Sequence, residues 1–260
     1  MKGGNLMELN LMRLATEKQE ANEEVALVTV ISCDGIKNLS PGVMILVDRN
    51  GELLCGSFGG GIFEENAKKE AKVCIHRGLS RKALINSDDT KAEIFVNSFS
   101  NKDKLIIVGA GTFALNIYRF AKILGYSITI IDNRPEMLTK ERFPQADTLL
   151  LGDIVETLSS CEITKDTFAV VSTHHHEFDE SVLKAVISSP ARYLGVIGNV
   201  RRVAGYFDNL RALNIPEELI NNVHSPIGLD LGGRKTAEIA LAVVAEMQAV
   251  KYGHSGGFSH

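Results

Sequence analysis

Lys104 to Pro135 reads KLIIVGAGTFALNIYRFAKILGYSITIIDNRP, and the order of its parts decides the fold. Leu105 to Val108 is a short apolar, β-branched run. Gly109-Ala110-Gly111 breaks it, Phe113 to Leu124 carries apolar residues at helical spacing, and Gly125 is the residue type that closes a helix. Ser127 to Ile131 is a second buried strand, with Asp132 at its end, about twenty residues past the glycines. The unit is strand, tight turn, helix, strand. Gly109, Gly111 and Ala114 have the G-x-G-x-x-(G/A) spacing of a dinucleotide-binding turn.

The spacing has a chemical reason. Gly109 allows the sharp turn, Gly111 lets backbone approach a phosphate with no Cβ in the way, and Ala114 is small enough for helix and strand to touch. A pyrophosphate rests on the free N–H groups of the helix N-terminus, and Asp132 accepts from ribose hydroxyls. Asp132 disfavours a 2′-phosphate there, which Arg134 nearby could restore.

Working outward, strands and helices alternate from Lys104 onward. Leu105–Val108, Ser127–Ile131, Thr148–Leu151, Phe168–Ser172 and Tyr193–Ile197 are candidate parallel strands; helices are predicted near Thr112–Leu124, Asp179–Ser188, Asn199–Leu213 and Lys235–Val250. Before them, Leu6–Ala21 is read as a surface helix with Leu6, Leu9, Met12 and Leu14 on its apolar side. Val25–Ser32 is a buried strand. Val43–Val47 and Leu53–Cys55 flank Asp48-Arg49-Asn50-Gly51 as a hairpin, a helix spans about Ile62–His76, and Lys82–Ile85 and Lys91–Val96 are short strands. The polar stretch Asn97–Asp103 marks a boundary. The predicted fold class is α/β: a smaller N-terminal mixed α/β domain, 1–100, and a C-terminal Rossmann-like doubly wound parallel sheet, 101–260.

Composition sets the remaining bounds. The 260 residues are 45% apolar and 23% charged, enough for full cores. A net charge of −4 and a pI near 6.0 speak against nucleic acid or an anionic membrane as partner, so anion binding has to be local. Cys33, Cys55, Cys74 and Cys161 show no metal-type spacing and read as reduced thiols. With no stretch of about 20 apolar residues and no signal-type N-terminus, the expectation is a cytoplasmic protein.

Three further stretches could carry chemistry. Gly59-Gly60-Gly61 sits between strand and helix, so its amides form either a second anion nest or a tight turn needing no ligand; Glu64 follows in the first helical turn, where an acid complements the dipole. Thr173-His174-His175-His176-Glu177-Phe178-Asp179 follows a strand and is read as the polar rim of the ligand cleft, His174 and His176 foremost, rather than a metal site. His224–Thr236 has the glycine separation of a P-loop in Gly228 and Gly233, but Arg234 stands where the lysine belongs and Pro226 spoils the preceding strand. It is read as a functional loop with Asp230 and Arg234 as its polar groups.

These segments together resemble the xanthine dehydrogenase accessory protein family, XdhC/CoxI. The resemblance rests on Gly109–Ala114, DNRPE at Asp132–Glu136, RFPQAD at Arg142–Asp147, Thr173–His176, Tyr193–Gly198 with Arg201-Arg202, HSPIGLDLG at His224–Gly232, and AEIA at Ala237–Ala240. The first domain is similar at Val28–Ser32, Pro41-Gly42 with Met44–Val47, and Gly59–Gly61 with Glu64. It departs where Asp34–Asn38 replaces G-S-(S/T)-P-R and where Ile62 replaces a cysteine, and the second domain departs where Thr112 replaces a histidine after its glycines. The resemblance implies an accessory factor rather than a turnover enzyme. Such a factor binds molybdenum cofactor (molybdopterin, bare or as a dinucleotide), protects it during exchange of an oxo for a sulfido ligand, and delivers it to an apo molybdenum hydroxylase. Its partners are that enzyme and the cofactor-sulfurating machinery, and it is expected to be a homodimer. It adds Gly198 and Gly228 to the cofactor-binding set. The alternatives are an NAD(P)-dependent oxidoreductase and a nucleotide or redox sensor.

Overall fold

The structure is a computed structural model and describes residues 4–21, 23–34, 39–87, 90–100, 102–174 and 176–257, with the backbone alone for 4–6, 87, 90, 176 and 177. It divides into two compact units, Met1–Asn101 and Lys102–His260. The predicted departure at 35–38 lies outside the described residues, as do His175 and the side chains of His176 and Glu177.

The first unit runs α1 (Gly4–Glu20), β1 (Val25–Asp34), β2 (Met44–Asp48), β3 (Leu53–Gly56), α2 (Gly61–Arg77), β4 (Arg81–Ser87) and β5 (Thr90–Phe99). Its strands form an antiparallel sheet in the order β3-β2-β1-β5-β4. Successive strand residues point to opposite faces. Ala26, Val28 and Val30 pack with Ala67, Ala71 and Cys74 of α2, while Val25 and Leu27 pack with Leu11 and Ala15 of α1. Helices on both faces make the first four residues of β1, Val25–Val28, an unbroken apolar run. The buried stripe of α1 differs from the predicted one: Leu11 and Ala15 are buried and Leu14 packs beside them, whereas Leu9 and Met12 stay exposed. At the hairpin, Asp48 Oδ1 accepts from the Asn50 and Glu52 amides at 2.9 and 2.7 Å, which closes the turn.

The second unit runs β6 (Lys104–Val108), α3 (Thr112–Ile123), β7 (Ser127–Asp132), β8 (Thr148–Leu151), α4 (Ile154–Ser159), β9 (Thr167–Val171), α5 (His176–Val186), β10 (Tyr193–Val196), α6 (Val200–Ala212), α7 (Glu217–Asn221), β11 (Val223–His224) and α8 (Thr236–Tyr252). All strand pairs are parallel, in the order β11-β10-β9-β6-β7-β8. The chain thus winds from β6 outward to β8, then returns to β9 on the other side of β6. Leu105, Ile107, Ile128, Ile130, Phe168 and Val170 pack under α3 and α8, and Ile106, Val108, Ile131, Ala169 and Val171 pack against α4, α5 and α6. Each of these side chains other than Ala169 contributes about 1.5–3 kcal/mol on burial. The switch of winding between β6 and β9 opens a crevice at the carboxyl ends of those two strands.

Candidate functional site

The crevice is where β6 ends in the glycine turn. Gly109 has φ +108°, its amide donates to the Ile131 carbonyl at 2.7 Å, and a Cβ there would lie 2.3 Å from the Ser172 carbonyl oxygen. The passage of β9 beside the turn therefore demands glycine. Gly111 is different in kind. Its φ is −70°, which any residue adopts, and nothing lies within 4 Å of where its Cβ would be. It caps α3, whose first α-helical bond runs from the Leu115 amide to the Gly111 carbonyl at 3.0 Å. The amides ahead of Leu115 have no carbonyl within the helix and carry its positive end. Ala114 is fully buried, its methyl in the core between helix and sheet.

Asp132 lies at the end of β7 and is 0% exposed. Its Oδ2 accepts from the Ala110 amide at 2.6 Å and from Arg134 Nη2 at 2.8 Å; its Oδ1 accepts from the Arg134 amide and Nε, each at 2.9 Å. Burial opposes the charge, but the Arg134 fork and the Ala110 and Arg134 amides outweigh it and hold the carboxyl below its usual range. Asp132 is thus the clasp of the turn, binding Arg134 to it.

Across the crevice, Ser172 and Thr173 leave β9 and His174 is exposed beside them. The Thr173 hydroxyl donates to Asp179 Oδ1 at 2.5 Å, and the buried Asp179 carboxylate adds to burial in raising the pKa of Tyr206 in α6. α5 already begins at His176, so the histidine run is not all loop, and Asp179, weighed as a metal ligand, is an internal anchor. Among the described residues no three His, Cys, Asp or Glu side chains gather as a metal site. Gly198 precedes Asn199, whose side chain caps α6 by accepting from the Arg202 amide at 2.9 Å.

Gly228 serves packing: a Cβ there would lie 3.1 Å from the Val243 nitrogen in α8, and its amide donates to Glu246 Oε2 at 2.9 Å. Asp230 is exposed and accepts from the Gly232 amide at 3.3 Å, and Glu238 Oε2 receives the Arg234 and Lys235 amides at 2.9 Å each. The loop is organised by its own carboxylates. The residue that the sequence reading missed is Glu246. It also accepts from the Tyr193 hydroxyl and stands 3.2 Å from His224 Nδ1, with the Tyr193 and His224 rings 4.4 Å apart. An acid on the apolar face of α8, between Val243 and Met247, was the available signal.

In the first unit, Gly59, Gly60 and Gly61 all have positive φ. Their turn is not an open nest. Glu64 Oε2 accepts from the Phe58 amide at 2.6 Å, the Ser57 hydroxyl at 2.8 Å and the Gly60 amide at 3.3 Å, and Ser57 Oγ accepts from the Gly59 amide at 2.9 Å. Burial disfavours the Glu64 charge, yet the Phe58, Ser57 and Gly60 donors together hold its carboxyl below the usual range. An internal anion occupies the place expected for a ligand.

A six-stranded parallel sheet wound both ways from a glycine turn at its switch point defines a Rossmann-type domain. Residues 105–247 match the XdhC Rossmann domain and residues 19–86 match the XdhC and CoxI family. The chain belongs to the XdhC and CoxI family. It is 28% identical over 264 residues to the uncharacterized protein YqeB of Escherichia coli (strain K12), covering 96% of this chain and 48% of that protein. It is 30% identical over 173 residues to a probable xanthine dehydrogenase subunit from Bacillus subtilis (strain 168), covering 66% of this chain and 50% of that one. The chain thus spans about half the length of the curated relatives it matches. A crystal structure of a xanthine dehydrogenase from Bacillus halodurans superposes with a TM-score of 0.56 at 18% identity over 95% of this chain and 97% of that one, a likeness of fold. No helix among the described residues is long and apolar enough to cross a membrane.

Proposed function

We propose that this chain is an accessory factor for a molybdenum hydroxylase of the xanthine dehydrogenase type: it binds molybdenum cofactor at the head of α3 and hands it to the apo enzyme, in the cytoplasm and as a homodimer. The observation that carries the reading is Gly111. Neither its backbone angle nor its neighbours require glycine, whereas a phosphate approaching the first amides of α3 does. The cofactor is cargo here, an anionic pterin phosphate. The residues fit its phosphate end: the Thr112, Phe113 and Ala114 amides at the start of α3 would hold it, and His174 is exposed on the same sheet edge. The choice of client is supported by family membership and by the B. subtilis relative, whose name places it in a xanthine dehydrogenase.

The test uses the full chain and Gly111→Val, both purified from cells that make the cofactor. Pterin extracted from each is quantified by fluorescence after oxidation, and capture of an apo hydroxylase is scored in parallel. The valine variant is expected to lose pterin at least tenfold at an unchanged melting temperature. Equal pterin in both preparations refutes the site.

A further inference from the structure

We infer that Arg134 excludes nucleoside riboses from the glycine turn, so that the turn takes a phosphate carried on a body with no ribose diol at that place. This rests on the reading of the α3 N-terminus and Gly111 as the phosphate seat, and adds a specificity-determining residue to it. In this strand order, the acid ending the second strand is the group that receives a dinucleotide's ribose hydroxyls. Asp132 holds that position, but it is 0% exposed and already bound to four donors: the Ala110 amide, the Arg134 amide, and Arg134 Nε and Nη2. A carboxylate has about four lone-pair sites. None is left for a diol.

The form of the Arg134 contact matters. Nε and Nη2 place one donor on each carboxylate oxygen, side by side, which is the pattern two vicinal hydroxyls would present. The guanidinium therefore occupies the diol's seat. It is held there by charge as well as shape, since a bidentate guanidinium–carboxylate pair is among the stronger hydrogen-bonded contacts. Its backbone is fixed too: the Arg134 amide is on Asp132, and the Arg134 carbonyl accepts from the Met137 and Leu138 amides at 3.1 and 3.2 Å. The Ala110 amide shares Oδ2 with Nη2, so the guanidinium is tied to the glycine turn through a single carboxylate oxygen. A nucleotide entering the turn must break both arms of the fork before its ribose gains anything.

The experiment titrates the full chain with inorganic pyrophosphate and with ADP-ribose by calorimetry, and repeats both on Arg134→Ala after a thermal melt confirms the fold. The wild type is expected to bind the two probes within about threefold of each other, because the ribose adds nothing. Arg134→Ala frees one acceptor site on each oxygen, so it is expected to bind ADP-ribose about tenfold tighter or more with pyrophosphate unchanged, one or two hydrogen bonds to a charged group being worth at least that factor. Arg134→Lys, which keeps a cation beside Asp132 but has no fork, is expected to give a smaller gain and serves if the alanine variant does not fold. Wild-type ADP-ribose binding more than tenfold tighter than pyrophosphate overturns the inference, as does no gain in either folded variant. Pyrophosphate binding that is absent, or indifferent to Gly111→Val, overturns the phosphate seat and this inference with it; failure of the ribose comparison alone leaves the seat standing.

Discussion

Gly109 and Gly111 stand in one turn under opposite constraints, and substitution separates them. Alanine at 109 would combine φ +108° with a 2.3 Å approach to the Ser172 carbonyl, so Gly109→Ala is expected to lose about 2–4 kcal/mol in urea unfolding. Gly111→Ala meets no atom and no forbidden angle, so its stability should stay within about 1 kcal/mol of the parent. Equal losses at both positions would show that the open space at Gly111 is an illusion of the static fold. The motif spacing named both glycines, but their difference was illegible in it, because the atom that forbids a side chain at 109 comes from β9, far along the chain. Glu64 and Asp132 were legible as acids at a helix start and a strand end. What they bond depended on amides brought round by the turns, and only the folded chain reveals that both are internal clasps.

At the scale of elements, the apolar strands of the second sheet from β6 to β10 were readable because helices cover both of its faces, leaving no polar alternation to confuse with a surface strand. β11, with two residues, and α4 and α7, with six and five, were too short to show any period. α8 was readable as a helix, yet its main polar contact was not. Glu246 joins α8 to Tyr193 of β10, His224 of β11 and the Gly228 amide. Burial raises the cost of its charge, but His224, Tyr193 and the Gly228 amide more than offset this and hold its carboxyl below the usual range. On acidification the unfolded chain therefore takes up the proton first. The stabilisation is complete above the unfolded carboxyl pKa of about 4.3 and is lost as pH falls through the lower folded value. Glu246→Gln is expected to cost about 1–3 kcal/mol at pH 7 and to flatten the acid limb of a melting-temperature profile below about pH 5. A variant with a full-length acid limb would remove Glu246 from this role.

At the scale of the whole molecule, each hydrophobic core lies within one unit. The clusters around β1, α1 and α2 use residues between Leu11 and Phe99, and those around the parallel sheet begin at Leu105. The sequence reading puts the boundary in the polar stretch Asn97–Asp103, but its first three residues belong to β5, which runs on to Phe99, and β6 starts at Lys104, so 100–103 alone lie between the two strands. A domain with its own core opens as its own cooperative unit. Two substitutions test this. Glu64→Gln weakens the acceptor that gathers Ser57, Phe58 and Gly60, so hydrogen exchange followed by mass spectrometry is expected to speed up about tenfold in α2 and β1, and to stay unchanged in β6, β7 and β9. Gly109→Ala reverses the pattern, with faster exchange in the parallel sheet and none in the antiparallel one. If either substitution accelerates exchange equally in both sheets, the chain unfolds as one body and its division into two cores carries no energetic meaning.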